Sequence, residues 1–262
     1  MCELFALSSQ NPTRVTFSLE EFMRHGGGTQ PHADGWGLAF YYGTDAQVFR
    51  EPSPAVSSEW LHFLLHHPHA SRCVMSHVRR AGSAEVALRN TQPFSRIVHG
   101  RRHLFCHNGN LSRFQASVPL RDSLPVGESD SEYAFCWLID ETRALWNEGT
   151  PSLQQRVAMI GPALATLAKY GSTNVLYCDS EYLYAFGNHR QQPDGLTAPA
   201  PLYYLERHCE CDADSLQESG LHIENGDQYI VLFASVPLSD EPWQALTPGQ
   251  LVVARQGRIV SK

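Results

Sequence analysis

The chain opens with MCELFAL, residues 1–7, and the interpretation of the remaining sequence starts from this stretch. Residues 4–7 are all apolar, which is typical of a strand buried in a core. Cys2 therefore lies at the start of a predicted strand. In that position it is most simply a packing residue, because free cysteine is among the most buried residue types.

The position of Cys2 directly after the initiator methionine supports a second interpretation. Methionine is readily removed before a small residue such as cysteine, which would leave a thiol and a free α-amine on Cys2. An α-amino group has a pKa of about 7.7–8.0, so part of it is neutral at cellular pH and can accept the thiol proton. Cys2 alone would then supply both the nucleophile and the base.

Short strand-like runs recur along the chain, most of them β-branched or aromatic. They lie at residues 3–7, 36–42, 72–78, 103–106, 174–178, 182–186, 229–234, 251–254 and 258–260. Helical periodicity appears at residues 19–24, 132–146 and 153–169. Ser129 and Glu132 form a predicted capping box, and Pro162 predicts a kink or break. Because strands and helices do not alternate as βαβ units, the pattern predicts an α+β class.

Composition and charge exclude several partners. The 262 residues suffice for one large domain or two small ones, at ~100–200 residues per domain. The formal net charge is −7 and no basic run is present, so we expect no nucleic-acid partner. The apolar stretch at residues 229–238 is about half the ~20 residues that span a membrane, and residues 1–12 lack a basic signal region. We therefore expect a soluble, cytoplasmic protein without a membrane partner.

The cysteine pattern argues for reduced thiols. Seven cysteines are an odd number for a disulfide framework. Four of them lie in apolar runs and are predicted to pack as small hydrophobes: Cys73, Cys106, Cys136 and Cys178. His208, Cys209 and Cys211 lack the second ligand pair of a structural zinc site, so we expect an ordinary loop there.

Two glycine-containing stretches admit both a structural and a catalytic interpretation. HGGG at residues 25–28, followed by DGWG at 34–37, has no accompanying G-x-S-x-G elbow and no nucleotide-loop lysine, so it predicts either a flexible loop that leads into a strand or only a turn. HNGN at residues 107–110 is either a plain turn or an oxyanion site. In the second case the Asn108 amide and the Gly109 N–H would stabilise a developing negative charge.

A charged pair could bind an amino acid. Arg79 follows a predicted strand that contains His77, and Asp130 lies in the first turn of a predicted helix. Arg79 is otherwise a solvated charge and Asp130 a carboxylate favoured by the helix dipole. Brought together in a cleft, they would bind the α-carboxylate and the α-ammonium of one amino acid.

Taken in order, these segments resemble the class II glutamine amidotransferase domain, a branch of the N-terminal-nucleophile hydrolases. The matching segments are MCEL at 1–4, GGGTQPHADGWG at 26–37, His77-x-Arg79, NTQPF at 90–94, HNG at 107–109 and GESDSE at 127–132. The resemblance implies a single domain over residues 1–262, folded as a four-layer αββα sandwich. It also implies an enzyme without a metal or an organic cofactor.

The resemblance further implies roles for individual residues. Cys2 would attack the γ-amide carbon of glutamine, release ammonia and leave a γ-glutamyl thioester that water cleaves. Asn108 and Gly109 would form the oxyanion hole. Arg79 would hold the substrate α-carboxylate and Asp130 its α-amine, and His77 would be a further substrate-binding residue.

Departures from the family pattern leave the substrate open. Gln92 stands where the family often has His, and Arg80 stands where larger synthases usually have Trp. We find no synthase domain within these residues, so a separate synthase could accept the ammonia, or the substrate could be another γ-glutamyl amide.

Two other hypotheses compete with this reading. The first is a catalytically silent, γ-glutamyl-binding regulatory subunit. The second is a metal site formed by His66, His67 and His69, which their close spacing around Pro68 disfavours because it suggests an exposed helix end.

Overall fold

The computed structural model describes residues 2–15, 17–28, 32–67, 69–191, 197–199, 202–209, 221–222 and 227–262. The helices are α1 (Phe17–Arg24), α2 (Glu59–His66), α3 (Ser112–Ser117), α4 (Asp130–Trp146) and α5 (Leu153–Ala168). The strands are β1 (Glu3–Val15), β2 (Trp36–Tyr42), β3 (Asp45–Glu51), β4 (Ala70–Val78), β5 (Phe94–Val98), β6 (Arg101–Gly109), β7 (Thr173–Cys178), β8 (Leu183–Gly187), β9 (His189–Gln191), β10 (Thr197–Pro199), β11 (Tyr203–Cys209), β12 (Leu221–His222), β13 (Gln228–Ala234), β14 (Gln244–Ala245), β15 (Gln250–Arg255) and β16 (Arg258–Ser261).

Two large antiparallel sheets organise these strands. The first sheet has the order β14-β11-β13-β1-β4-β2-β3, with β12 also paired to β1. The second sheet has the order β16-β15-β8-β7-β6-β5. The opening strand β1 is central in the first sheet, where Glu3 pairs with Val78 of β4 and Phe5 pairs with Ala234 of β13. The start of the chain is thereby fixed between two strands.

Three apolar cores divide the molecule into four layers. One core packs α1 and α2 against the outer face of the first sheet. A second packs α3, α4 and α5 against the outer face of the other sheet. The third fills the space between the sheets, and alternation along β1 sends Leu4 and Ala6 into it while Phe5 and Leu7 face the helices. The expected α+β, four-layer αββα sandwich is confirmed.

The predicted elements are present, and the structure adds some that the sequence did not indicate. Helix α3 was not predicted, and of α2 only an exposed end near His66 was expected. The strands without a prediction are β3, β5, β9, β10, β11, β12 and β14. Helix α2 leaves Trp60 and Phe63 about half exposed, at 56% and 50%, so its apolar residues do not mark a single buried face. Strand β3 lies at the edge of its sheet and is only partly buried, which weakens the alternating pattern.

Two local expectations are wrong in part. Of the kink or break expected at Pro162, the break does not occur, because α5 continues through Pro162 and buries Ala163, Leu164 and Leu167 against the second sheet, and this packing offsets the missing N–H. Ser129 caps α4 through the Glu132 N–H at 3.2 Å, but the Glu132 carboxylate accepts from Gly127 N at 2.8 Å instead of returning to Ser129. The reciprocal capping box occurs at the start of α5.

The segment that contains His208 and Cys209 is also not a loop. Both residues belong to β11, and His208 Nε2 contacts Asp227 Oδ1 at 2.5 Å. Cys211 lies outside the described residues. Among the helices that the structure describes, none is long and apolar enough to cross a membrane.

Candidate active site

Cys2 lies immediately before β1, at one end of the layer between the two sheets. Because successive side chains point to opposite faces of a strand, Cys2 shares a face with Leu4 and Ala6, which pack in that layer. The Cys2 thiol is partly exposed, and its Sγ atom lies 3.3 Å from both the backbone N and the backbone O of Arg80. The antiparallel register of β1 and β4 produces this contact, because pairing of Glu3 with Val78 brings Cys2 to the end of β4.

Asn108 approaches Cys2 from the second sheet. Its Nδ2 donates to the backbone O of Cys2, although the two residues are 106 positions apart in the chain. Asn108 and Gly109 end β6 and pair with Asn174 and Thr173 of β7, so the plain turn considered for this segment does not occur. A Cβ at Gly109 would lie 1.8 Å from the backbone O of Ser172, so only glycine fits there.

Arg79 is buried at the end of β4 and is held by backbone carbonyls. Its Nη2 donates to Ala84 O at 3.1 Å and Glu85 O at 3.0 Å, and its Nη1 donates to Asp34 O at 3.4 Å. Burial lowers the pKa of the guanidinium, while Cys2 and Asp34 oppose that shift. The side chain is therefore fixed in position beside Cys2 and is not a mobile surface charge.

The segment before β2 supports this end of β4 through its backbone. Arg79 N donates to Gly35 O at 2.7 Å, and Asp34 N donates to Arg79 O at 3.0 Å. The Asp34 carboxylate accepts from Ala81 N at 2.8 Å. The sequence left a loop or a turn for the glycine-rich stretch. The structure shows that Asp34 and Gly35, just before β2, hydrogen-bond to the backbone of Arg79.

Asp130 is the first residue of α4. Its Oδ2 atom accepts from the backbone N of Leu111 at 2.5 Å, and Ser131 Oγ lies 3.4 Å from its Oδ1 atom. A carboxylate at a helix N-terminus is favoured by the helix dipole. The carboxylate of Asp130 is therefore anchored in the second sheet's half of the molecule, opposite Arg79 of the first sheet.

A cavity of about 180 Å³ joins these groups. Its lining contains Cys2, Arg79, Gly109 and Asp130, four of the six residues that the sequence predicted for the site. Asn108 reaches Cys2 directly. Further lining residues that the sequence did not assign include Asn90, Gln115, Glu128 and Ser131. The structure thus places a thiol, a guanidinium and a carboxylate around one space.

Besides Asn108, which contacts Cys2, His77 is the predicted site residue that does not line the cavity. It is fully buried in β4 between Leu4 and Gly37, and within the described part of the chain neither ring nitrogen has a hydrogen-bond partner. Burial lowers its pKa to about 3, and Arg79 and His107 act in the same direction. The ring is therefore neutral at physiological pH and does not offer a cation to a carboxylate.

Gln92 has a structural role that the sequence did not reveal. Its Oε1 accepts from His107 N at 2.6 Å, and its Nε2 donates to His107 O at 3.1 Å. Phe94 of β5 pairs with Phe105 of β6, so Gln92 lies opposite His107. There the side-chain amide of Gln92 forms the two hydrogen bonds to the His107 backbone that a paired strand residue would form with its own backbone. Its own backbone O would lie 1.9 Å from a Cβ at Gly37, so Gln92 also packs closely against the first sheet.

The clustered histidines near α2 make other contacts. The Nδ1 atoms of His66 and His67 lie 2.7 and 2.8 Å from the carbonyl oxygens of His62 and Phe63, one turn earlier. His69 stacks on Phe40 with 4.9 Å between ring centroids. Within the described ranges, no three His, Cys, Asp or Glu side chains group in a way that could hold a metal ion.

The two antiparallel sheets, each covered by helices on its outer face, place Cys2 at one end of the layer between them. A family model described as class II glutamine amidotransferases matches residues 1–262, and the chain belongs to this family. YafJ of Escherichia coli strain K12, a proposed glutamine amidotransferase, is 32% identical over 256 residues, covering 95% of this chain and 96% of that protein. The resemblance seen in the sequence is confirmed.

Solved structures agree in fold. A predicted glutamine amidotransferase of Pseudomonas aeruginosa PA01 matches with a TM-score of 0.70 and 28% identity over the whole of both chains. Glutamine phosphoribosylpyrophosphate amidotransferase of B. subtilis matches with a TM-score of 0.57 and 14% identity, over all of this chain and 49% of that one. The second similarity, at this low identity, shows the fold alone.

Proposed function

We propose that this chain hydrolyses the γ-amide of glutamine, or of another γ-glutamyl compound, with Cys2 as the nucleophile. The observation that carries the proposal is the meeting of Asn108 with Cys2 across the two sheets, beside a cavity that also contains Arg79 and Asp130. Nucleophile, oxyanion donors and groups for both charged ends of an amino acid are thereby close together. Membership of the family supports the same reaction.

The first half of the reaction forms a thioester. After removal of Met1, the neutral α-amine of Cys2 takes the thiol proton, and Sγ attacks the γ-amide carbon. The Asn108 Nδ2–H and the Gly109 N–H stabilise the oxyanion of the tetrahedral intermediate. The α-ammonium of Cys2 then donates its proton to the leaving nitrogen, and ammonia or an amine departs.

The second half regenerates the thiol. Water attacks the thioester carbonyl, and the α-amine of Cys2 accepts a proton from that water. The same two donors stabilise the second oxyanion, and collapse of the intermediate releases the γ-carboxylate and the thiol. No group other than Cys2, Asn108, Gly109 and water takes part in the covalent steps.

Substrate recognition would use the two fixed charges of the cavity. A guanidinium has five N–H groups, so three bonds to carbonyl oxygens leave Arg79 donors for a carboxylate. Asp130 would accept from the substrate α-ammonium. His77 takes no part in this proposal, because it does not line the cavity and its ring is neutral.

The decisive experiment measures ammonia or amine release from glutamine and a panel of γ-glutamyl amides, using protein whose intact mass shows a Cys2 N-terminus. We expect turnover of at least one compound, and covalent labelling of Cys2 by a glutamine-like electrophile. Cys2→Ala should abolish both. Turnover by homogeneous Cys2→Ala protein, or full activity in protein that retains Met1, would refute the assignment of Cys2.

The same experiment separates the remaining alternatives. Labelling of Cys2 without turnover of any panel member would favour the silent, γ-glutamyl-binding regulatory subunit. Free ammonia released by the isolated chain would show that a separate ammonia-accepting synthase is not required for hydrolysis. Strong dependence on an added synthase would instead identify a partner.

A further inference from the structure

A second cavity lies at the opposite end of the layer between the sheets. Its volume is about 450 Å³, and it opens where β4 begins and β7 ends, whereas Cys2 lies where β4 ends. The lining includes Cys73 of β4 and Cys178 of β7. It also contains two arginines, Arg72 and Arg255, against a single carboxylate, Glu181, which contacts Arg255 at 3.0 Å.

The two cysteines of this cavity face each other across the sandwich. Their Sγ atoms are 3.8 Å apart, although the residues are separated by 105 positions and belong to different sheets. A disulfide bond has an S–S length of about 2.05 Å, so the sulfurs need to approach by less than about 2 Å. Rotation of the side chains covers part of such a distance without a change in the strands.

Backbone hydrogen bonds hold both cysteines in place. Ser71 Oγ lies 2.8 Å from both Cys73 O and Tyr41 O, and its single proton is donated to one of them. The Tyr41 hydroxyl crosses to the other sheet, where it lies 3.1 Å from Cys178 O and 3.0 Å from Arg102 O. One chain of contacts therefore runs from Cys73 to Cys178, which fixes the separation of the two strands at this point.

The two thiols differ in accessibility. Cys73 is partly exposed and lines the cavity, so a small reagent reaches it first. Cys178 is 1% exposed, and burial together with the neighbouring Cys73 raises its pKa well above the usual value. Packing alone explains the buried Cys178, but it does not explain why a solvent-facing second thiol lies against it.

We propose that Cys73 and Cys178 form a disulfide that crosslinks the two sheets, with a low-molecular-weight disulfide as the oxidant. The Cys73 thiolate attacks one sulfur of the reagent, forming a mixed disulfide and expelling one thiolate. The Cys178 thiolate then attacks the Cys73 sulfur, forming the internal bond and expelling the second thiolate. The reagent gains two electrons, and the two protons lost by the protein thiols protonate the expelled thiolates.

The crosslink has a mechanical consequence. It joins β4 to β7, and β4 also carries Arg79 while β7 pairs with the end of β6 that carries Asn108. A bond that closes a loop of this length reduces the freedom of the unfolded chain and stabilises the fold. We therefore expect the oxidised protein to unfold at a higher urea concentration than the reduced protein.

The test equilibrates the full-length protein with glutathione buffers of increasing oxidised fraction, followed by alkylation, intact mass and peptide mapping. A parallel series in Cys2→Ala protein removes the competing thiol of the candidate active site. We expect a species that is two hydrogens lighter before alkylation, takes up two alkyl groups fewer, and contains a linked Cys73 and Cys178 peptide pair. This measurement needs no substrate, so its outcome is independent of the proposed function.

Variants resolve the two steps. In Cys178→Ser the reaction should stop at a glutathione adduct on Cys73, and in Cys73→Ser the buried Cys178 should remain reduced. Cys106→Ser, which removes another buried thiol of the same core, should still form the crosslink. Oxidation of other cysteines while Cys73 and Cys178 stay reduced would overturn the proposal, and so would a crosslink that forms only in denatured protein.

Discussion

The two ends of the layer between the sheets place cysteines in opposite environments. At one end Cys2 contacts backbone polar groups of Arg80 and receives the side chain of Asn108 at its carbonyl oxygen. At the other end Cys73 and Cys178 contact each other. Strand β4 passes through both ends, and the apolar residues between them, such as Met75, are fully buried.

The difference shows how one architecture supports two kinds of sulfur chemistry. Strand centres must pack, whereas strand ends leave backbone groups and charged side chains free to converge on a cavity. Burial of Cys178 raises its pKa and keeps it a thiol, so it is a poor primary nucleophile, and the more accessible Cys73 reacts first. The four predictions below test this contrast between the Cys2 end and the Cys73 end.

The largest expected effect is at the Cys2 end. Asn108→Ala removes one of the two proposed oxyanion donors and should lower kcat by roughly 10²–10³. Cys73→Ser is the matched control at the other end and should leave kcat unchanged under reducing conditions. Steady-state ammonia release measures both variants, and equal losses in the two would remove the functional contrast between the ends.

The second effect is on stability and comes from His77. The pKa of His77 is about 3 in the folded protein and near 6.5 in the unfolded chain. The stability that depends on neutral His77 is therefore fully present above pH 6.5. That contribution is lost as the pH falls from 6.5 towards 3. At pH 5 the loss should be about 2 kcal/mol, because one pKa unit corresponds to about 1.4 kcal/mol.

Urea denaturation of the wild-type and His77→Gln proteins between pH 7 and pH 5 checks this prediction. The variant should lose less stability over that range than the wild type. His99→Asn is the matched control, because it replaces an exposed histidine. Parallel pH dependence in wild-type and His77→Gln proteins would contradict the assignment to His77.

The third effect concerns the positioning of Asn108 and Gly109 by Gln92. Gln92→Ala removes both hydrogen bonds to the His107 backbone, each of about 1 kcal/mol. We expect kcat to fall about tenfold with little change in KM, because the oxyanion donors shift while Arg79 and Asp130 stay in place. The control is Gln115→Ala, which also alters the cavity lining but leaves the two hydrogen bonds between Gln92 and His107 intact. A rise in KM without loss of kcat would instead indicate a substrate contact.

The smallest effect is at the Cys178 end. Cys178→Ala removes one buried sulfur atom, and the resulting small cavity should lower the free energy of unfolding by about 1 kcal/mol. Under reducing conditions kcat should not change. Urea denaturation and the ammonia assay measure the two quantities, and a large loss of kcat would show that the two ends are coupled.

Much of the fold was visible in the sequence because local patterns specify it. The nine predicted strands lie on β1, β2, β4, β6, β7, β8, β13, β15 and β16, most of them apolar runs buried in the cores. Only the end of α2 was expected, because this helix exposes two aromatic residues, and α3 escaped prediction because it has only six residues. The break considered at Pro162 does not occur, because packing against the second sheet outweighs a missing hydrogen bond.

The residues of the candidate site, like the elements of the fold, could be predicted only in part from the sequence. Cys2, Arg79, Gly109 and Asp130 were predictable because each stands in a short motif at a strand or helix end. His77 shares such a motif and the same strand face with Arg79, but it lies two positions further inside β4, where the core buries it completely. The sequence singled out Gln92 only as a departure from the family pattern, because no local pattern indicates that its side-chain amide hydrogen-bonds to the backbone of His107.

The sequence by itself determined the elements, the class of fold and the residue types available for chemistry, because these depend on neighbours within a few positions. Only the tertiary structure decided which residues meet. Asn108 reaches Cys2, and Cys73 reaches Cys178, across more than a hundred positions each. Those contacts depend on strand register and on the stacking of two sheets, which are set by the packing of the whole core and not by any single segment.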